Sequence, residues 1–94
     1  MTFKLSFDKR ALKEWNKLDV VVREQFKKKL SERLGQPIVQ SAIIFGAENC
    51  YKIKLRAAGY RLVYQVIDKE VVVLVLAVGK RERNAVYKSA LSRI

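Results

Sequence analysis

Residues 50–78 read Cys50-Tyr51-Lys52-Ile53-Lys54-Leu55-Arg56-Ala57-Ala58-Gly59-Tyr60-Arg61-Leu62-Val63-Tyr64-Gln65-Val66-Ile67-Asp68-Lys69-Glu70-Val71-Val72-Val73-Leu74-Val75-Leu76-Ala77-Val78, and this stretch decides the fold. Tyr51, Ile53 and Leu55 alternate with Lys52, Lys54 and Arg56, the period of a half-buried strand. Ala57-Ala58-Gly59 reads as a turn into a second strand over residues 60–67, and Asp68-Lys69-Glu70 as the next turn. Residues 71–78 are apolar at every position, which predicts a central strand covered on both faces. Gly79 ends it. Turns this short make the three strands an antiparallel meander.

Outward from this core, a last helix is predicted after Lys80-Arg81-Glu82-Arg83, with Val86, Ala90 and Leu91 inward. At the other end Phe3, Leu5 and Phe7 alternate with Thr2, Lys4 and Ser6, a strand over residues 2–7. Asp8 suits a helix N-cap, and Phe7 with Leu12 fits a hydrophobic staple. The first helix is predicted over residues 9–18, burying Ala11, Leu12, Trp15 and Leu18. Asp19 is a second capping candidate. Val22, Phe26, Leu30 and Leu34 recur every four residues and predict a second helix over residues 20–34. Gly35 suits its left-handed C-terminal position, and Pro37 prevents resumption. The two helices form an antiparallel hairpin. In the stretch 36–49, Ile43-Ile44-Phe45 fits a short edge strand. The expected architecture is α+β, in the order β-α-α-β-β-β-α. A mostly antiparallel sheet is covered by an N-terminal helical hairpin, with a C-terminal helix, in a single domain over residues 1–94.

Charge narrows the function. The 94 residues include 20 Lys and Arg against 9 Asp and Glu, a net charge of +11, which favours a polyanionic partner. There is no histidine, so a His base, acid or metal ligand is excluded. One cysteine, Cys50, excludes an intrachain disulfide and a Cys-based zinc site. No apolar run is long enough to span a membrane, and Met1-Thr2-Phe3-Lys4 does not read as a signal peptide. A cytoplasmic protein without a membrane role is expected.

The hairpin's register decides which cations meet. A two- or four-residue turn pairs Arg56 with Arg61, Lys54 with Val63 and Lys52 with Gln65. Directly opposite residues share a face, so Lys52, Lys54, Arg56 and Arg61 form one cationic surface. A three-residue turn puts Arg61 on the core side, against the apolar pattern. No acid lies between residues 49 and 67 to neutralise this surface. It reads as a phosphate site or as a solvated basic face with distant counterions. Lys80, Arg81 and Arg83 follow the central strand, a common place for working residues. Tyr87 lies one helical turn past Arg83.

The nine acids are scattered over caps, helix faces and turns, which disfavours a two-metal nuclease. A metal-free ribonuclease built on a His pair is excluded. Cleavage of RNA by its own 2′-hydroxyl remains: the protein need only align the chain and stabilise charge. Crowded cations lower a lysine pKa toward useful basicity, and arginine stabilises charge without donating its proton. No cofactor is expected.

Four segments carry a family resemblance: Arg10-Ala11-Leu12-Lys13-Glu14-Trp15, Cys50 to Arg56, Gly59-Tyr60-Arg61-Leu62-Val63-Tyr64-Gln65-Val66, and Val78-Gly79-Lys80-Arg81-Glu82-Arg83. In this order they resemble the RelE toxin family, over essentially the whole chain. The resemblance implies a type II toxin, an mRNA interferase that cuts messenger RNA in the ribosomal A site and leaves a 2′,3′-cyclic phosphate and a 5′-hydroxyl. It implies a RelB-like antitoxin, and operator DNA bound only through the toxin–antitoxin complex. The implied catalytic set is Lys52, Lys54, Arg61, Arg81 and Tyr87. In it the lysines serve proton abstraction and phosphate stabilisation, Arg61 the transition-state phosphate, Arg81 the leaving group and Tyr87 the nucleotide's orientation. Arg56, Lys80 and Arg83 are the RNA-binding cations beside it. Where many members carry Lys-Leu-Arg-Gly, this chain has Ile43-Ile44-Phe45-Gly46. Phe45 replaces an RNA-gripping arginine and offers a ring for stacking on a base. Arg10, Lys13, Lys17, Lys27, Lys28, Lys29 and Arg33, on the first two helices, are expected to dock on ribosomal RNA. Two rival readings are a ParE-like toxin directed at DNA gyrase and a non-catalytic RNA- or ribosome-binding module.

Overall fold

The computed structural model describes residues 2–82 and 84–94. Strand β1 (Lys4–Phe7) leads into helices α1 (Lys9–Asn16) and α2 (Val20–Gly35); strands β2 (Cys50–Leu55), β3 (Tyr60–Ile67) and β4 (Val72–Lys80) come next, then helix α3 (Ala85–Ser92). The expected α+β order is the observed one. The sheet runs β1-β4-β3-β2, with β1 parallel to β4 and the other pairs antiparallel. The all-apolar strand is therefore central, and it is buried on both sides for the reason its composition suggested.

One face packs on the helical hairpin. Trp15, Phe26 and Leu30 from the helices meet Tyr51, Ile53, Leu62, Tyr64, Val73 and Val75 from the strands. The Trp15 ring lies 5.2 Å from that of Phe7 and 6.3 Å from that of Phe26, joining β1, α1 and α2 in one aromatic contact. The opposite face carries a smaller cluster, Cys50, Val63, Leu76 and Ala77, covered by Val86 and Ala90 of α3. A bulge on β4 links the two: Val63 pairs with Ala77 but Tyr64 with Val75, leaving Leu76 extra. One added residue inverts the facing of every later position on the strand. Val75 and Val78 thus both face the hairpin, although they are three positions apart.

Several local expectations are corrected. The Asp8 carboxylate caps α1 by accepting the Arg10 N–H at 2.9 Å, but Asp19 makes no side-chain cap bond to α2. Leu12 is 43% exposed and Leu91 41% exposed; each comes one position after an inward residue, about 100° around the helix. Gly35 stays helical, and Gln36 turns extended at φ −153°. Pro37 disfavours the helical region for the residue before it, so no left-handed glycine is needed. Ile43-Ile44-Phe45 forms no strand; Ile43 makes an isolated bridge to Tyr51 after a 3₁₀ turn at Gln40–Ala42.

The β2–β3 register is offset by two residues from the expected one. Lys54 faces Arg61, Lys52 faces Val63 and Cys50 faces Gln65. Gly59, at φ +73°, ends a four-residue turn at Arg56–Gly59, and its N–H donates to Leu55 O at 2.8 Å. An offset of two preserves facing, so Lys52, Lys54 and Arg61 still share a face. Arg56 moves into the turn instead of opposing Arg61.

Candidate active site

The cations gather on the sheet face that α3 covers only in part. Tyr51, Ile53 and Leu55 point to the hairpin core, so Lys52 and Lys54 point the other way, on the edge strand of the sheet. Arg61 stands directly across from Lys54. Its guanidinium lies 5.0 Å from the centre of the Tyr87 ring, and one of its nitrogens donates to Asn84 Oδ1 at 3.4 Å. Asn84 begins α3 with φ +61°, a left-handed conformation asparagine tolerates better than most residues. Arg81 lies just past β4, and its backbone N–H donates to Gly59 O at 2.8 Å. That bond ties the loop after the central strand to the turn of the hairpin. Lys54, Arg56, Arg61 and Arg81 then line one depression of about 200 Å³.

This crowding has an electrostatic consequence. The charge of Lys52, first, and then partial desolvation and the charges of Arg61, Arg56 and Arg81 hold the Lys54 ammonium below the usual lysine pKa. The ion pairs among the described residues join Arg10 to Asp8, Lys27 to Glu24 and Arg93 to Glu14, so none neutralises the cluster. A site of uncompensated positive charge is poised to receive an anion. Among the described residues no group of Cys, Asp and Glu side chains converges to hold a metal ion.

The family of ParE toxins of type II toxin–antitoxin systems matches residues 5–85. The mRNA interferase toxin RelE of Escherichia coli K12 is 60% identical over 94 residues, spanning all of this chain and 99% of that protein. This chain belongs to the RelE toxin family. Its fold superposes on the R81A/R83A form of E. coli toxin RelE in the free state with a TM-score of 0.93, at 57% identity, covering 100% of this chain and 99% of the other. A chain of the intact E. coli RelBE toxin–antitoxin complex gives 0.83 at 60% identity, covering 86% and 99%. The first of these folds alike without two of its arginines, so those side chains are dispensable for the RelE fold.

Within this RelE-family chain, Lys52, Lys54, Arg61, Arg81 and Tyr87 come together, with Arg56 beside them. Lys80 does not join them. It pairs with Tyr60, which packs against the hairpin core, and so belongs to the opposite face. Arg83 lies outside the described residues. Phe45 is 92% exposed, in a loop whose Ile44 and Ala47 pack on the same cluster as Tyr87. Of the helical cations, Arg10, Lys13, Lys17, Lys27, Lys28 and Lys29 are exposed. Arg33 turns inward: it donates to Tyr64 Oη at 2.8 Å and to the Lys52 carbonyl at 3.3 Å. The Tyr64 hydroxyl donates in turn to Pro37 O at 2.7 Å. Arg33 thus braces the strand that carries Lys52, a role its place in a basic helix face did not reveal. No helix among the described residues is long and apolar enough to cross a membrane.

Proposed function

We propose that this toxin cleaves messenger RNA in the ribosomal A site through attack of the ribose 2′-hydroxyl on the adjacent phosphate. The observation that carries the reading is the unneutralised cluster around Lys54, with Tyr87 held under Arg61. The 2′-oxygen forms a bond to phosphorus as its proton passes to the neutral Lys54 amine, whose pKa the neighbouring positive charges hold down. Lys52 and Arg61 meet the charge on the non-bridging oxygens. The bond to the 5′-oxygen breaks, Arg81 stabilises the charge left there, and solvent supplies its proton. The products are a 2′,3′-cyclic phosphate and a 5′-hydroxyl. Tyr87 orients the nucleotide, Phe45 stacks on a base, and Arg56 and Arg83 grip flanking phosphates.

RNA brings its own nucleophile, so such a site needs alignment more than a strong base. Holding reactants in line is worth up to about 7–11 kcal/mol. The ribosome supplies that alignment by bending the A-site codon, with the exposed helical lysines docked on ribosomal RNA. A RelB-like antitoxin is the partner that neutralises the toxin and carries it to operator DNA, in the bacterial cytoplasm. The match to ParE toxins favours gyrase as the second reading. Primer extension on programmed ribosomes separates the two. Cuts within A-site codons, absent from the same RNA when free, support cleavage. Stalled gyrase–DNA complexes with intact message overturn it.

A further inference from the structure

Helix α3 has little of its own to hold it in place. It has eight residues, no side-chain bond from its N-cap Asn84, no acid in its first turn and no base in its last. Isolated helices of this length are unstable in water, and the fully buried residues of α3 are Val86 and Ala90. Yet this helix carries Tyr87 beneath Arg61.

Its far end is clasped. Strand β1 pairs with β4 only as far as Val75. Beyond it, the Leu76 carbonyl and the Val78 N–H lie on a strand edge that β1 no longer covers. Glu14 of α1 accepts the Val78 N–H at 3.2 Å. Arg93, directly after α3, donates to Leu76 O at 2.9 Å and to both Glu14 carboxylate oxygens, at 2.8 and 3.1 Å. The Arg93 side chain is 11% exposed and that of Glu14 33%. A two-pronged, partly buried arginine–carboxylate bond is among the stronger charge-assisted contacts. Breaking such a pair from one side costs more than the pair contributes, because the remaining charge keeps its desolvation.

We propose that the Glu14–Arg93 pair is a latch that seats α3 against the bulged middle of β4 and so positions Tyr87 for cleavage. Arg93 touches no reacting atom; it is a positioning residue acting through Tyr87. The proposal rests on the part given to Tyr87 above, and its test keeps the two apart.

The experiment uses the full chain with Arg93→Ala, Tyr87→Ala and the double variant. Hydrogen exchange reads the latch: α3 amides in Arg93→Ala should exchange on the order of tenfold faster or more while α2 amides keep their protection. Single-turnover cleavage on programmed ribosomes reads positioning: Arg93→Ala should lose roughly tenfold to a hundredfold in rate, as small misplacements do. In the Tyr87→Ala background the same change should alter the rate by less than about twofold, since one loss contains the other. Equal losses in both backgrounds, or α3 exchange unchanged from the parent, overturn the proposal. Full activity of Tyr87→Ala together with faster α3 exchange overturns the role of Tyr87 and leaves the latch standing. If Arg93→Ala does not fold, Glu14→Gln replaces it, keeping an acceptor for Val78 N–H while removing the charge pair.

Discussion

Replacing Arg81 by alanine should disable the toxin without unfolding it. The Arg81 side chain is exposed, and the bond that ties this residue to the fold is its backbone N–H to Gly59 O, which alanine keeps. Exposed substitutions of this kind usually change stability by less than about 0.5 kcal/mol. Here the sign leans toward stabilisation, because Arg81 is one of the like charges that crowd Lys54. The catalytic loss is of another order. Removing one preorganised group from a developing oxyanion typically costs about 2.7–4 kcal/mol, a hundredfold to a thousandfold in rate. Arg81→Lys keeps the charge and loses the planar fork, so it should fall between the two. The assay pairs urea denaturation of each variant with single-turnover cleavage of one message on programmed ribosomes. A parent-like rate for Arg81→Ala would refute the placement of the leaving group. An unfolded Arg81→Ala would instead refute the claim that its side chain carries no structural load.

The other predictions concern the scaffold, the pH profile and docking. Tyr64→Phe removes a hydroxyl bonded to both Arg33 and Pro37 O, and should destabilise the domain by about 1–3 kcal/mol, read as a lower urea midpoint with an unchanged slope. A midpoint equal to the parent's removes the bracing role of that network. Lys52→Gln takes away the largest charge depressing Lys54, so the Lys54 pKa should rise toward its ordinary value. Less neutral amine is then present at a given pH, and the acid limb of the pH–rate profile should move to higher pH; a limb that stays in place or moves down argues against Lys54 as proton acceptor. Ribosome affinity should fall steeply with salt, each phosphate contact contributing roughly −0.7 to −0.9 to the log–log slope, and Lys28→Gln with Lys29→Gln should flatten it. A slope unaffected by both changes would place docking elsewhere.

Much of this molecule is set by local pattern. Alternation in residues 50–56 is enough to put Lys52 and Lys54 on one face, because side chains alternate along any strand whatever it pairs with. The unbroken apolar run in residues 71–78 is enough to make that strand central. The pattern also makes Arg61 share the lysines' face, since a register offset of two leaves facing unchanged. Asp8 and Pro37 mark helix ends by steric and hydrogen-bonding rules that act within a few residues.

The pattern leaves open every feature that depends on partners far along the chain. The hairpin's offset turns on where Gly59 adopts its positive φ, and equally spaced cations do not reveal it. The bulge at Leu76 has no local signal, because every neighbouring residue is apolar and either face accepts it. Arg33 looks like one more surface cation until Tyr64, 31 positions away, is folded against it. Glu14 and Arg93 lie 79 positions apart and meet only because β1 stops short and exposes two backbone groups that need partners. The sequence alone determined which residue types line the cationic face. Only the tertiary structure decided which of them meet, which one is held by Tyr87 and which turn inward, because burial and hydrogen bonding are settled between elements and not within them.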